Sequence, residues 1–268
     1  MRTIAHISDL HFGRTRESTE DALLKDLESL QPSLIAISGD LTQRALRREF
    51  KHARAFLERL PSPFLVVPGN HDIPLFDVTR RLLLPLHRYK NYISKQLNPL
   101  YVDNEMAVIG VNSARSLTLV NGKIHRRQLR RVEGILSGLP DVPLRIVVTH
   151  HPFCKHPELR HREVIRGAKK TLKRFEHCGV DIILTGHYHR VHTEDLRRVH
   201  TDLERSMLHI QAGSAISSRT THEPNSYNLL TVKGNELIVS VRTWENDSFR
   251  VTEEQRFRRT KKGWKNIS

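Results

Sequence analysis

Cysteine is nearly absent, with two in 268 residues, Cys154 and Cys178. That scarcity excludes a disulfide scaffold and a thiolate-rich metal site, and free thiols in a reducing compartment are expected. No stretch is long and apolar enough to form a helix across a bilayer. Internal repeats, low-complexity tracts and linkers are also missing, which excludes a repeat array and favours one domain over residues 1–268, with a basic C-terminal tail from about residue 250. Met1-Arg2 leads directly into an apolar run, leaving no room to read a signal peptide, so a cytoplasmic location is expected. Acidic residues are short as well. There are 29 against 44 Lys and Arg, a formal net charge of +15. Such a chain attracts anions: phosphate esters, nucleic acids and anionic membrane surfaces all qualify.

What is present is an alternation of short apolar runs and amphipathic stretches. Thr3–Ser8, Leu34–Ser38 and Phe64–Val67 read as buried strands. Between them, Glu20–Leu30 and Arg47–Leu60 place apolar residues at helical spacing, ended by Pro32 and Pro61. Such β-α-β units imply right-handed crossovers and parallel pairing. Further on, Val78–Leu97 reads as helix interrupted by Pro85, Ala107–Val111 and Arg145–Thr149 as strands, and Arg126–Leu136 and Val164–His177 as helices. Asp181–Leu184, Met207–Gln211, Tyr227–Val232 and Glu236–Val241 read as strands, the last two joined by a Gly234-Asn235 hairpin turn. Two packed sheets with helices outside is the simplest arrangement.

Five polar clusters each follow an apolar run: Asp9-Leu10-His11, Gly39-Asp40, Gly69-Asn70-His71-Asp72, His150-His151 and Gly186-His187-Tyr188-His189. Each sits where a strand would end, and ligands of open α/β sheets bind at carboxyl ends of strands. Carboxylate, amide and imidazole donors without thiolate suit Zn, Mn or Fe. On extended chain, residues i and i+2 point to one side, so Asp9 with His11, and His187 with His189, can each grip one ion. Gly39 permits a sharp turn, and the two oxygens of Asp40 make it a candidate bridge. By the same alternation His151 points away from His150 and is read as structural. His71 is read as a phosphate contact or proton donor to the leaving alkoxide, with Asp72 orienting it.

In order along the chain, these clusters match D-x-H, G-D, G-N-H-[DE], H and G-H-x-H. The sequence resembles the calcineurin-like metallophosphoesterases from about residue 2 to about residue 240. The resemblance implies a four-layer α/β/β/α sandwich with two mixed sheets and a dinuclear site at the C-terminal rim of the strands. Carried over by motif, Asp9, His11, Asp40 and His189 would bind one metal, and Asp40, Asn70, His150 and His187 the other. The implied cofactors are two divalent or mixed-valence ions, Mn, Fe or Zn. The implied reaction is attack on a phosphate ester by a metal-bridging hydroxide. Within the family the chain is most similar to bacterial cyclic-nucleotide phosphodiesterases, through Ile7–His11, Gly39–Gln43, Val67–Asp72 and Gly213-Ser214-Ala215. Asn112 departs from that group, where Asp often precedes Ser.

The first expectation is therefore phosphodiester hydrolysis, with 3',5'-cyclic nucleotides the foremost substrate. Competing readings are a nuclease for DNA or RNA, a nucleotide or lipid pyrophosphohydrolase, and a non-enzymatic scaffold. His71 counts against the lipid-A branch, which commonly carries Arg there. Arg115 and Arg219 are expected to be solvated loop residues. His6, His52, His87, His125, His177, His200 and His209 are read as surface or satisfied core residues. His156, His161, His192 and His222 fall in loops near the rim. The basic runs are read as solvated helix faces, and the C-terminal run as either a frayed tail or a contact for nucleic acid or anionic lipid.

Overall fold

Runs of Ile, Leu, Val and Ala too short for helices form strands buried on both faces. The computed structural model describes residues 1–118, 120–139, 142–159, 161, 163–218 and 223–268. The first half alternates β1 (Arg2–Ile7), α1 (Glu17–Leu30), β2 (Leu34–Ile37), α2 (Arg47–Glu58) and β3 (Phe64–Val66). Next come α3 (Val78–Leu83), α4 (His87–Tyr92), β4 (Leu100–Val102), β5 (Met106–Gly110), α5 (Arg126–Ser137), β6 (Leu144–Val148), α6 (Ala168–His177) and β7 (Ile182–Thr185). The remainder is β8 (His192–Asp195), α7 (Leu196–Val199), β9 (Leu208–Gln211), β10 (Ser226–Lys233), β11 (Glu236–Glu245), β12 (Ser248–Thr260) and β13 (Gly263–Asn266).

Both sheets are mixed. One runs β13-β12-β11-β10-β1-β2-β3, and the other β4-β5-β6-β7-β9-β8. Parallel pairing joins β1 to β2 and β2 to β3 in the first, and β5 to β6, β6 to β7 and β7 to β9 in the second. Three apolar clusters match the three interfaces of a four-layer sandwich. Ala5, Ile7, Ile35 and Ile37 meet Leu23, Leu27, Phe50 and Phe56 of α1 and α2. Ile4, Leu34, Val108, Ile146, Leu184 and Leu230 fill the space between the sheets. Val147, Ile183, Leu129, Val132, Leu172 and Phe175 close the second sheet against α5 and α6. Layering of this kind buries every apolar face and leaves the strand ends as the open rim.

A half-buried polar tie fixes α1 to the first sheet. Arg242 on β11 donates to both carboxylate oxygens of Asp26, at 2.7 and 2.6 Å, and the Tyr227 hydroxyl donates to the same carboxylate. The Gly234-Asn235 turn is present, with Gly234 at φ 57° and Lys233 paired to Glu236.

Three local expectations are corrected. Val78–Leu97 is two short helices rather than one, because Pro85 lacks an N–H and forces Leu84 out of helical geometry, to φ −138° and ψ 51°. The helix expected from Val164 begins at Ala168, since Ile165 and Arg166 donate to Pro152 and Gly122 carbonyls instead and Gly167 is left-handed. The C-terminal run is no tail: residues 248–266 form β12 and β13, with Phe257 and Trp264 buried in the inter-sheet core.

Acid stability offers a test of this packing. His209 is fully buried on β9, with Thr185 Oγ1 at 2.9 Å from Nε2 and Cys154 Sγ at 3.3 Å from Nδ1. Burial, reinforced by nearby His192, His6 and His200, lowers its pKa to about 3. The unfolded chain therefore takes up a proton below about pH 6.5 that the folded chain refuses, so this contribution to stability is intact above that value and lost as pH falls towards 3. Urea unfolding should show a loss of about 2 kcal/mol from this group at pH 5. The slope of stability against pH should be shallower in His209→Gln; an identical slope contradicts the assignment.

Candidate metal centre

The carboxyl ends of β1, β2, β3, β6 and β7 each release a polar loop onto one rim. Asp9, His11, Asp40, His187 and His189 all have positive φ, between 50 and 78°. For residues with a Cβ this left-handed region costs roughly 1–2 kcal/mol each, and such strain concentrates at functional sites. The expectation of extended chain at Asp9–His11 and His187–His189 is thus corrected. Sharp left-handed bends, not strand alternation, turn the members of each pair to the same place. The first two loops are stitched together by Asp9 N to Gly39 O at 3.1 Å and His11 N to Asp40 O at 3.0 Å.

All seven candidate ligands converge there. Asp9 Oδ1 is 3.7 Å from His11 Nε2 and 3.6 Å from His189 Nε2, and the two imidazole nitrogens are 3.3 Å apart. His150 Nε2 is 3.0 Å from Asn70 Oδ1 and 3.2 Å from His187 Nδ1, which is itself 3.1 Å from Asn70 Oδ1. Asp40 Oδ2 belongs to both groups, at 3.8 Å from His11 Nε2 and 3.3 Å from His150 Nε2. Its other oxygen, Oδ1, accepts the His71 backbone N–H at 2.9 Å. Metal–ligand bonds of about 2.1 Å place neighbouring donors roughly 3.0–3.4 Å apart in octahedral or tetrahedral shells. The second group fits that spacing as it stands, and the first is a few tenths of an ångström wider. Asp9 Oδ1 is buried yet accepts no hydrogen bond among the described residues, which leaves a carboxylate oxygen for a cation.

Backbone contacts aim these donors. His150 Nδ1 donates to Ser38 O at 2.8 Å, which turns the Nε2 lone pair inward. Asp9 Oδ2 accepts from Ser8 Oγ at 2.7 Å and His187 N at 3.0 Å, leaving Oδ1 for the cluster. Ser214 Oγ holds Asp9 O at 2.7 Å. Burial raises the Asp9 and Asp40 pKa values, but the surrounding imidazoles outweigh it and hold both carboxyls below their usual range. Burial lowers His150, and Asp40 overrides it, raising its pKa to about 9; His187, buried beside His150, is lowered to about 3.

His71 is half-buried at the rim. Its Nδ1 donates to Gln43 O at 2.8 Å, and its ring stands edge-on to His11, 4.9 Å between centroids. Asp72 does not orient it, contrary to expectation. The Asp72 carboxylate accepts from Gly69 N at 2.9 Å, Leu41 N at 3.2 Å, and Thr42 N and Oγ1 at 2.9 and 3.0 Å. It pins the Asp40 loop to the Asn70 loop. Burial and then the Asp40 charge raise its pKa to about 6, against those bonds from Gly69 and Thr42.

His151 also departs from expectation. Beyond Val148 the chain is no longer strand, so alternation fails, and the ring lies 4.9 Å from that of His150 and 4.8 Å from that of His187. Ser113 Oγ contacts its Nδ1 at 2.8 Å. With His150 and His187 it forms one of three candidate metal-binding groups among the described residues; the others are Asp9, His11, His189 and Asp9, Asp40, His150. Sequence reasoning missed Gln43, Thr42, Ser8 and Ser113, whose roles run through backbone atoms or second contacts that no motif spacing reveals. His156 and His192 face each other at 5.1 Å, His161 is exposed and Arg115 half-buried. Arg219 and His222 lie outside the described residues.

Gly39 and Gly186 are steric requirements of the cluster. Gly39 has φ 100°, and a Cβ there would come within 2.8 Å of His150 Nδ1; a Cβ on Gly186 would run into Ser8 Oγ and Asp9 Oδ2. Gly186→Ala should therefore displace Asp9 and weaken Zn or Mn binding by about tenfold or more, as loss of a supporting contact does. Titration calorimetry of the folded variant gives the comparison, and unchanged affinity contradicts this packing.

A family model described as calcineurin-like phosphoesterase matches residues 2–191. A protein of Arcobacter nitrofigilis named probable glycerophosphodiester phosphodiesterase GpdQ is 26% identical over 169 residues, which cover 61% of this chain and 59% of that relative. The matched part thus spans less than two thirds of that relative's length. A Nostoc sp. protein named 3',5'-cyclic-nucleotide phosphodiesterase is 23% identical over 212 residues, covering 74% of this chain and 75% of that one. Among solved structures, a purple acid phosphatase from yellow lupin superposes with a TM-score of 0.72 at 11% identity, over 95% of this chain and 53% of that one. A dimetal phosphatase from Danio rerio does so with a TM-score of 0.65 at 13% identity, over 90% and 96%. These structural likenesses establish the fold.

Proposed function

We infer that this chain, which belongs to the calcineurin-like phosphoesterase family, is a dimetal phosphodiesterase acting on small diesters, with 3',5'-cyclic nucleotides the leading class. The observation that carries the reading is Asp40 Oδ2, common to two donor groups, one at coordination spacing and the other a few tenths of an ångström wider. Asp9, His11, Asp40 and His189 would hold one ion, and Asp40, Asn70, His150 and His187 the other. The all-oxygen and imidazole donor set suits Zn, Mn or Fe. Two such ions supply a water of lowered pKa and neutralise charge on a phosphoryl group. The chain's own part is positioning and proton transfer. The Gln43 carbonyl can only accept, so Nδ1 of His71 carries the hydrogen and Nε2 is left to face the ester. From there protonated His71 can donate to a phosphoryl oxygen or to the departing alkoxide. Asp72 acts through the loops it ties together. Two free, buried thiols agree with a reducing compartment, and the reading carries a cytoplasmic location with it.

The cyclic-nucleotide preference is supported by the Nostoc relative's name and by the segments shared with that group. The Arcobacter relative's name supports glycerophosphodiesters as the second class. The deciding experiment is a panel with Mn-, Zn- and Fe-loaded protein: 3',5'-cyclic AMP, glycerophosphodiesters, an aryl diester, an aryl monoester and oligonucleotides. The expected result is diester over monoester, with the cyclic nucleotide highest in kcat/KM. Preference for oligonucleotides, or for the monoester, overturns it.

A further inference from the structure

Six exposed apolar side chains, Leu75, Phe76, Val78, Leu82, Leu83 and Leu84, stand within ten residues of chain beside the metal centre. Phe76, Val78 and Leu83 are 73%, 61% and 74% exposed. Isolated exposed leucines need no explanation, but a contiguous apolar patch marks an interaction surface. The patch is braced from beneath. The buried Arg81 guanidinium donates to Pro74 O at 3.1 Å, Ser116 O at 2.7 Å and Thr118 O at 2.6 Å, so α3 is clamped to the neighbouring loop with its leucines outward. That loop adds the exposed Leu117 and Val120.

Its position is fixed by the motif it follows. The segment starts at Leu75, three residues after Asp72, and Ile73 N donates to Asn70 O at 3.3 Å. Arg44 lies 5.7 Å over the Phe76 ring, and its neighbour Gln43 holds His71. The apron therefore borders the His71 side of the rim. Arg44, Arg47 and Arg48, close by in the chain, are exposed and make no ion pair among the described residues.

We propose that this apron seats the protein on an anionic lipid bilayer, with the rim of the metal centre towards the surface. Apolar side chains with Arg44 against Phe76, and Arg47 and Arg48 following in the chain, match an interface of acyl chains beneath anionic headgroups. A second copy of the chain fits less well, because each brings a net charge of +15 to the contact. The docking inference stands whichever ester the centre cleaves.

Co-sedimentation of the full chain with vesicles tests it. Vesicles of phosphatidylcholine with 30% phosphatidylglycerol, about a third anionic as in acidic membranes, should bind at least about tenfold more protein than phosphatidylcholine alone, and salt should weaken binding. Phe76→Ser/Leu82→Gln/Leu83→Gln, all at exposed positions, should lower binding to the anionic vesicles about tenfold or more. Hydrolysis of a soluble aryl diester by this variant should stay at the wild-type level, which separates docking from the metal chemistry. Equal binding to both vesicle types, or retained binding by the variant, overturns the proposal. So does analytical ultracentrifugation showing a wild-type dimer that the variant dissociates, since the occupant would then be a second copy.

Discussion

Asp40→Ala is expected to reduce aryl phosphodiester hydrolysis by about 10³-fold or more, the scale on which charge stabilisation at a reacting phosphoryl group is lost. Three features of Asp40 make it the most consequential side chain. Its Oδ2 is the shared member of both donor groups, at 3.8 Å from His11 Nε2 and 3.3 Å from His150 Nε2. Its Oδ1 holds the His71 backbone, so its removal also loosens the candidate proton donor. It is the main source of the attraction that raises His150, against burial, to about 9. Alanine leaves a gap among four imidazoles and one remaining carboxylate, Asp9, with no oxygen between the two groups. Steady-state kinetics at saturating Mn gives the comparison. Turnover within tenfold of wild type contradicts the bridging role.

His71→Gln should lower kcat by about 10²–10⁴-fold, the range of general acid catalysis, while leaving metal binding intact. His71 is not among the seven donors, and the hydrogen bond that fixes its ring, from Nδ1 to Gln43 O, is made to a backbone carbonyl rather than to a donor. The leaving group discriminates its two roles. A proton donor matters little when nitrophenolate departs and much when an alkoxide departs, so the loss should be larger for an alkyl diester. Equal losses on both substrates leave His71 as a phosphate contact. Unchanged kcat on both removes it from the chemistry. Asp72→Asn should act differently, loosening the Asp40 and Asn70 loops together through Thr42 and Gly69.

The layers and the cluster were legible because buried parallel strands are nearly pure apolar runs, and a motif at each strand end marks where the chain turns. Asp9, His11, Asp40, Asn70, His150, His187 and His189 could be gathered on one rim from that pattern. How they meet could not: it depends on left-handed bends at five non-glycine residues, which no spacing encodes. His151 shows the same limit, since alternation holds only while the chain is strand and it ends at Val148. Asp72 was misread because its partners are backbone N–H groups, those of Leu41 and Thr42 in a loop distant in sequence and that of Gly69 in its own, which outbid the adjacent imidazole. β12 was hidden by charge. Arg and Glu on its exposed positions, and Lys265 on β13, mask the buried Phe257 and Trp264 that dock the terminal hairpin into the core.

Metal content is the most direct test of the shared-oxygen arrangement. Wild-type protein and Asp40→Ala, each equilibrated with excess Mn or Zn and freed of unbound ion, are analysed by inductively coupled plasma mass spectrometry. Two ions per wild-type chain and one or none per variant chain is the predicted result. Two ions retained in the variant, or a single ion in the wild type, contradicts a dinuclear centre built around Asp40.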